Sequence, residues 1–216
     1  MRWLRKDDVK IAIDGPAGSG KTSLARALAE AFDCRYIETG KMYRAVALAF
    51  RRGLTLSEIE MDITQDGRLI LGGEDVSSLL HTPEIDQGSS EVATRADVRE
   101  RLVEIQQAIA EKQDVVMEGR DIGTVVLPDA DVKIFLEASS KERARRRAEE
   151  RGASDLDEIQ REIEERDERD STRAISPLIP ATDATIIETD RKPLVQVISE
   201  AIHLVKERLD RRCFGG

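Results

Sequence analysis

Gly15-Pro16-Ala17-Gly18-Ser19-Gly20-Lys21-Thr22 fits the Walker A pattern G-x-x-x-x-G-K-[ST] at every constrained position. Val9-Lys10-Ile11-Ala12-Ile13 before it is a strand-like, β-branched run. Ser23 to Glu30 after it puts Leu24 and Leu28 on one helical face. A glycine-rich turn with a chance lysine would not come framed by a strand and a helix. In that frame the loop's N–H groups turn inward on phosphate oxygens, and the helix N-terminus adds partial positive charge. Lys21 supplies a mobile ammonium for β- and γ-phosphates, and the Thr22 hydroxyl is the expected ligand of Mg²⁺. The donor site is therefore expected over Gly15–Ser23.

Composition bounds the rest. A chain of 216 residues with 40% hydrophobic content can bury one α/β core with a small insertion. Its net charge of −9 argues against a nucleic-acid backbone as partner, since that requires a basic surface. Arginine clusters inside an acidic chain point instead to small anions. Cys34 and Cys213 are far apart, without C-x-x-C or metal-ligand spacing, and read as ordinary reduced thiols. Met1 to Asp8 lacks the apolar stretch of a signal peptide, and no later run could span a bilayer, so a cytoplasmic protein with no membrane partner is expected.

Further along, Cys34 to Ile37 is a short strand, and a helix should follow with Tyr43 and Arg44 at its start and Met42, Val46, Ala47 and Phe50 as its stripe. A cation at a helix N-terminus is misplaced unless it holds an anion, although a solvated first-turn arginine reads equally well. Leu54 to Ile85 changes character. Met61–Thr64 and Arg68–Leu71 flank Gln65-Asp66-Gly67 as a hairpin, continued through Val76, and His81 reads as a surface or helix-flank residue rather than a ligand. Asp97 lies near the start of a helix with Val98, Leu102, Ile105 and Ile109 on one face, from which Ser90 and Arg99 stand clear. Val115–Met117 is a buried strand running into Glu118-Gly119-Arg120-Asp121-Ile122-Gly123-Thr124. In an open parallel sheet that is where side chains are delivered to a ligand, the alternative being a structural ion pair in a turn.

Asp131–Leu136 is the next strand, and Ala138-Ser139-Ser140 caps a helix with Arg143, Arg145, Arg146, Arg147 and Arg151. Glu142, Glu149 and Glu150 could pair with some of these, yet Arg143, Arg147 and Arg151 recur every four residues and form a ridge suited to a lid. Arg166, Asp170 and Arg173 share one face if the helix continues through them. Ala184–Glu188 is the final strand, and Leu194, Val197, Ile198, Ile202 and Val205 mark a closing amphipathic helix.

Four segments, Ile13–Lys21, Thr39–Arg44, Glu118–Thr124 and Glu165–Asp170, resemble the cytidylate (CMP) kinase family in the same order over nearly the whole chain. The resemblance implies an α/β P-loop kinase fold, a five-stranded parallel sheet flanked by helices. It implies one domain over 1–216 with a β-containing, nucleoside-monophosphate-binding insertion at about 54–95 and a helical lid at about 139–173. It also implies ATP- and Mg²⁺-dependent phosphorylation of CMP and dCMP by a monomer. Carried over by position, Arg44, Arg120 and Arg173 would hold the acceptor phosphate. Ser90, Arg99 and Asp121 would read cytosine, Arg166 and Asp170 would hold the ribose, and Thr39 and Tyr43 would line that pocket. Lys21, Arg120, Arg143, Arg147 and Arg173 are the expected catalytic cations. No general base is required, because phosphoryl transfer runs on positioning and charge neutralisation.

Lys41 departs from the small residue common in the family, and the insertion is shorter than in longer members. A kinase of UMP or AMP is the nearest alternative. A regulatory GTPase is not, because the chain has no Asn-Lys-x-Asp motif and indeed no asparagine.

Overall fold

The computed structural model describes residues 9–64, 66–152 and 155–214. The expectations drawn from Met1–Asp8, and those on the side chains of Arg151 and Cys213, lie outside the described residues. The centre of the molecule is a five-stranded parallel sheet in the order β2-β6-β1-β7-β8. Its strands are β1 (Lys10–Asp14), β2 (Arg35–Glu38), β6 (Val115–Gly119), β7 (Val132–Glu137) and β8 (Thr185–Glu188). Three short antiparallel strands, β3 (Met61–Ile63), β4 (Leu69–Leu71) and β5 (Glu74–Asp75), form a separate small sheet.

Alternation along each central strand builds two cores. Ile11 and Ile13 of β1 and Val116 of β6 pack with Leu24, Leu28, Val197, Ala201 and Val205 on one face. These come from α1 (Lys21–Phe32) and α7 (Leu194–Phe214). Ala12, Val115 and Met117 point the other way, against Met42, Val46, Val98 and Leu102 of α2 (Thr39–Arg51) and α4 (Ala96–Ala110). A strand buried on both faces must be apolar throughout, which is why the β1 and β6 runs read so clearly.

Because all five strands are parallel, their carboxyl ends lie along one edge, and the chain leaves each of them into a functional segment. β1 enters the phosphate loop. There Gly15 takes φ 148°, and a Cβ on it would meet the Leu136 carbonyl oxygen at 2.5 Å, so only glycine fits. β6 ends at Gly119, where a Cβ would lie 2.7 Å from both Thr39 Oγ1 and Ile122 Cδ1. The chain then makes a π-helical turn, Ile122–Val126, in which Val126 N–H donates to the Asp121 carbonyl at 3.2 Å. β7 leads into α5 (Ser140–Arg151) and α6 (Leu156–Thr172), a helical pair with its own small core of Ala144, Ala148, Ile159 and Ile163. Ser139 caps α5 as expected, accepting from Glu142 N–H at 3.3 Å.

Three expectations are corrected, and one helix is added. α2 begins at Thr39, not at Tyr43, so Arg44 sits in its second turn and the argument from a cation at a helix N-terminus does not apply. A further helix, α3 (Pro83–Val92), for which no expectation was drawn, carries Ser90, while Arg99 stands on α4. Thr82 caps α3 through Ile85 N–H, and Pro83 fills its first turn. Arg173 is not on the α6 face with Arg166 and Asp170. It is the extended residue just past the helix end, at φ −60° and ψ 140°. Arg143 belongs to no exposed ridge: it is 4% exposed.

Candidate active site

One cleft of about 790 Å³ runs along the carboxyl edge of the sheet, floored by the phosphate loop and roofed by α3, α5 and α6. Gly20, at φ 95°, is the cap of α1 and offers no side chain to its first turn, which also carries no acidic residue. The N–H groups and dipole of that terminus are thus left for an anion. Lys21 Nζ donates to the Pro16 carbonyl at 2.7 Å and to Ser19 Oγ at 3.5 Å. Burial, then the nearby Arg120, pushes its ammonium below the usual lysine range, while Glu118 and Asp14 pull it back up. The exposed Thr22 hydroxyl follows on the same helical turn. Among the described residues no group of three or more His, Cys, Asp or Glu could hold a metal ion unaided. The donor set fits an ion that arrives with phosphate and adds Thr22 as its protein ligand.

Of the expected site residues, Ala17 to Ser23, Thr39, Tyr43, Arg44, Ser90, Arg99, Arg120, Asp121, Arg147, Arg166, Asp170 and Arg173 line this one cleft. Gly15 and Pro16 do not line it: Gly15 backs onto the Leu136 carbonyl, and the Pro16 carbonyl accepts from Lys21. Arg143 does not line it. Its guanidinium donates to the carbonyls of Ala138 (2.9 Å) and Ala17 (3.2 Å) and to Asp167 (2.5 Å), tying α5 and α6 to the loop from beneath.

The end of the cleft away from the glycine-rich loop is built from matched charges rather than bare cations. Arg99 pairs with Asp121 through its Nη2, with side chains only 4% and 7% exposed, and the Arg99 guanidinium lies 5.6 Å from the centre of the Tyr43 ring. Arg120 donates to Asp170 at 2.9 Å, and Arg173 approaches the same carboxylate at 3.9 Å. Burial alone would raise Asp170, but Arg120 above all holds it below the usual carboxylate range. Arg44 binds Asp86 at 2.9 Å and Glu38 at 3.3 Å, and Arg147 comes within 3.6 Å of Asp86. Thr39 Oγ1 donates to the Glu118 carbonyl at 2.7 Å, locking the start of α2 to the end of β6.

Arg166 is pressed too. Burial, then Arg120, lowers it to about 10, and its Nε has no hydrogen-bond partner. Nη2 of Arg173 and Nε of Arg99 are likewise buried and unpartnered. Orphaned donors on three arginines are what a polyanionic ligand would satisfy.

A profile of the cytidylate kinase family matches residues 11–207. The chain belongs to the cytidylate kinase family. It is 46% identical to a cytidylate kinase of Mycobacterium leprae over 93% of this chain and 97% of that one. It is 48% identical to a cytidylate kinase of Pelotomaculum thermopropionicum, over 87% and 92%. A gluconokinase structure from Sinorhizobium meliloti has the same fold at 18% identity and a TM-score of 0.50, covering 98% of this chain and 99% of that one.

Against this family background, several cleft residues escaped sequence reading. Glu38 ends β2 and Glu118 is the penultimate residue of β6, both at the cleft, which the carboxyl-end rule could have flagged. Asp86 sits on the unforeseen α3. At the far end Arg146 donates to the Thr189 carbonyl at 2.7 Å, near Lys192 and Pro193, and no motif marks that corner.

Proposed function

We propose that the chain transfers the γ-phosphoryl group of ATP to the 5′-phosphate of CMP and dCMP, giving CDP and dCDP. The buried Arg99–Asp121 pair beside Tyr43 supports this reading most. A guanidinium supplies donors for the ring acceptors of cytosine and a carboxylate accepts from its N4 amino group, so one pair complements both edges of the base. Arg44, Arg120 and Arg173 hold the acceptor phosphate, and Arg166 and Asp170 the ribose. Residues 54–95 act as the acceptor-binding insertion and 139–173 as the lid. ATP lies along Gly15–Ser23, its base toward Arg146, Thr189 and Lys192.

Thr22 would hold a Mg²⁺ ion arriving with the ATP phosphates, and that ion would supply charge neutralisation there. The chain itself contributes position and field. Lys21 holds the β- and γ-phosphates, and the arginines of both subsites surround the equatorial charge that develops. Closure of the lid excludes the water that would otherwise take the phosphoryl group. All of these residues come from one chain, which fits a monomer acting on free nucleotides in the cytoplasm.

The test compares CMP with UMP. Uracil presents a carbonyl where cytosine has its amino group, so Asp121 would face another acceptor, at a cost of about 1–3 kcal/mol. Asp121→Ala should therefore lower kcat/KM for CMP steeply and for UMP much less. An unchanged ratio between the two substrates would sink the assignment.

A further inference from the structure

Two nucleotides must be held in fixed register, and the strand that carries the donor loop hydrogen-bonds the turn after β6 through a side chain. Asp14 is the last residue of β1, immediately before Gly15, and is 4% exposed. It does not line the cleft. Its Oδ1 accepts the Ile122 N–H at 2.8 Å and its Oδ2 accepts the Gly123 N–H at 2.7 Å. These are the first residues of the π-helical turn that follows Arg120 and Asp121. Both oxygens are engaged, which fixes the turn in rotation as well as distance. Both N–H groups are buried with their residues, and losing their acceptor would leave two orphan donors in the core.

Nothing about β1 as a strand requires a carboxylate here, since Ile11, Ala12 and Ile13 fill the other buried positions. Holding a charge there is costly. Burial raises Asp14 to about 6 even though the two N–H bonds act against it. Asp121 raises it further and Lys21 lowers it. The strand neighbours in register, Gly119 and Phe135, carry no charge, and the Lys133 stem packs on Gly123.

We propose that Asp14 is a positioning residue for the acceptor base, fixing through the Ile122 and Gly123 N–H groups the turn that aims Asp121 and Arg120. The inference rests on the reading that Asp121 contacts cytosine. Asp14→Asn keeps the shape but turns an NH₂ donor on one of the two N–H groups. Its KM for CMP should rise about tenfold or more, as expected for one buried hydrogen bond lost and one donor clash gained. The preference for CMP over UMP should narrow, while KM for ATP stays within about threefold. If the loss falls on ATP while KM for CMP and the CMP-to-UMP preference hold, Asp14 serves the donor loop and the proposal is overturned.

Asp121→Ala, measured in parallel, separates the two failures. If it narrows the preference and Asp14→Asn does not, only the Asp14 proposal falls. If Asp121→Ala itself leaves the preference unchanged, the base reading falls and KM for CMP alone decides Asp14. Should Asp14→Asn fail to fold, the wild-type chain is followed by NMR between pH 5 and 8. The Ile122 and Gly123 amide resonances should titrate near 6 together with the ratio of CMP to UMP affinity, in which the shared phosphate's own titration cancels. Amides that do not titrate, or a ratio that stays flat across that range, would overturn the proposal.

Discussion

Lys21 keeps its ammonium 2.7 Å from the Pro16 carbonyl with only 6% of the residue exposed. Burial lowers its pKa, so between the folded value and the unfolded 10.5 the folded chain binds fewer protons than the unfolded one. Stability contributed at this site therefore rises with pH across that window, and below it the charged lysine opposes folding. Lys21→Met removes the charge at similar length. Turnover should fall by about 100-fold or more, as for other lost transition-state contacts, while the melting temperature at pH 7 holds or rises. A coupled ADP assay and calorimetry check both, and a marked drop in melting temperature would show that the ammonium serves the core. Residues of this kind were legible because eight contiguous positions carry their pattern. Asp14 and Asp86 were not, because each gains its role from a partner 42 to 109 positions away.

Elements were legible in proportion to how far their own residues determine them. The central strands announce themselves because burial on both faces demands continuous apolar runs, and α5 because Ser139 caps it. The start of α2 was misplaced because Thr39-Gly40 resembles a turn, whereas Thr39 is held in the helix by a bond to the Glu118 carbonyl across the sheet. α3 could have been found from Thr82-Pro83, a cap and a first-turn proline. The π-helical turn could not, since it answers to Asp14 rather than to any period of its own. α5 and α6 pack on each other around Ile163, which is fully buried, and otherwise reach the body through contacts such as Arg143. Ile163→Ala should cost about 2–5 kcal/mol, and the loss should be local. Amide exchange is expected to quicken across Ser140–Thr172 while the strands of the central sheet keep their protection. Equal loosening of both would mean that the helical pair and the sheet unfold as one unit.

At the scale of the whole molecule, an acidic chain of net charge −9 sets eight arginines along one cleft. Composition alone foretold small anions as partners, but not that carboxylates on other elements would hold several of these arginines. Orphaned donors on Arg166 and Arg173 still leave a net demand for anion. Sulfate should accordingly raise the melting temperature and compete with CMP, with stabilisation of about 2.7 kcal/mol at a hundred times its dissociation constant. Arg166→Ala should blunt both effects, and a sulfate response unchanged in that variant would place the anion elsewhere. The contact of Asp86 with Arg44 from α2 and Arg147 from α5 has a further consequence. A phosphate that takes up these two guanidiniums displaces a resident carboxylate rather than a cloud of solution ions. The cleft then works as an ion exchanger whose counter-ion is part of the chain, and affinity depends on salt less steeply than the number of arginines would suggest.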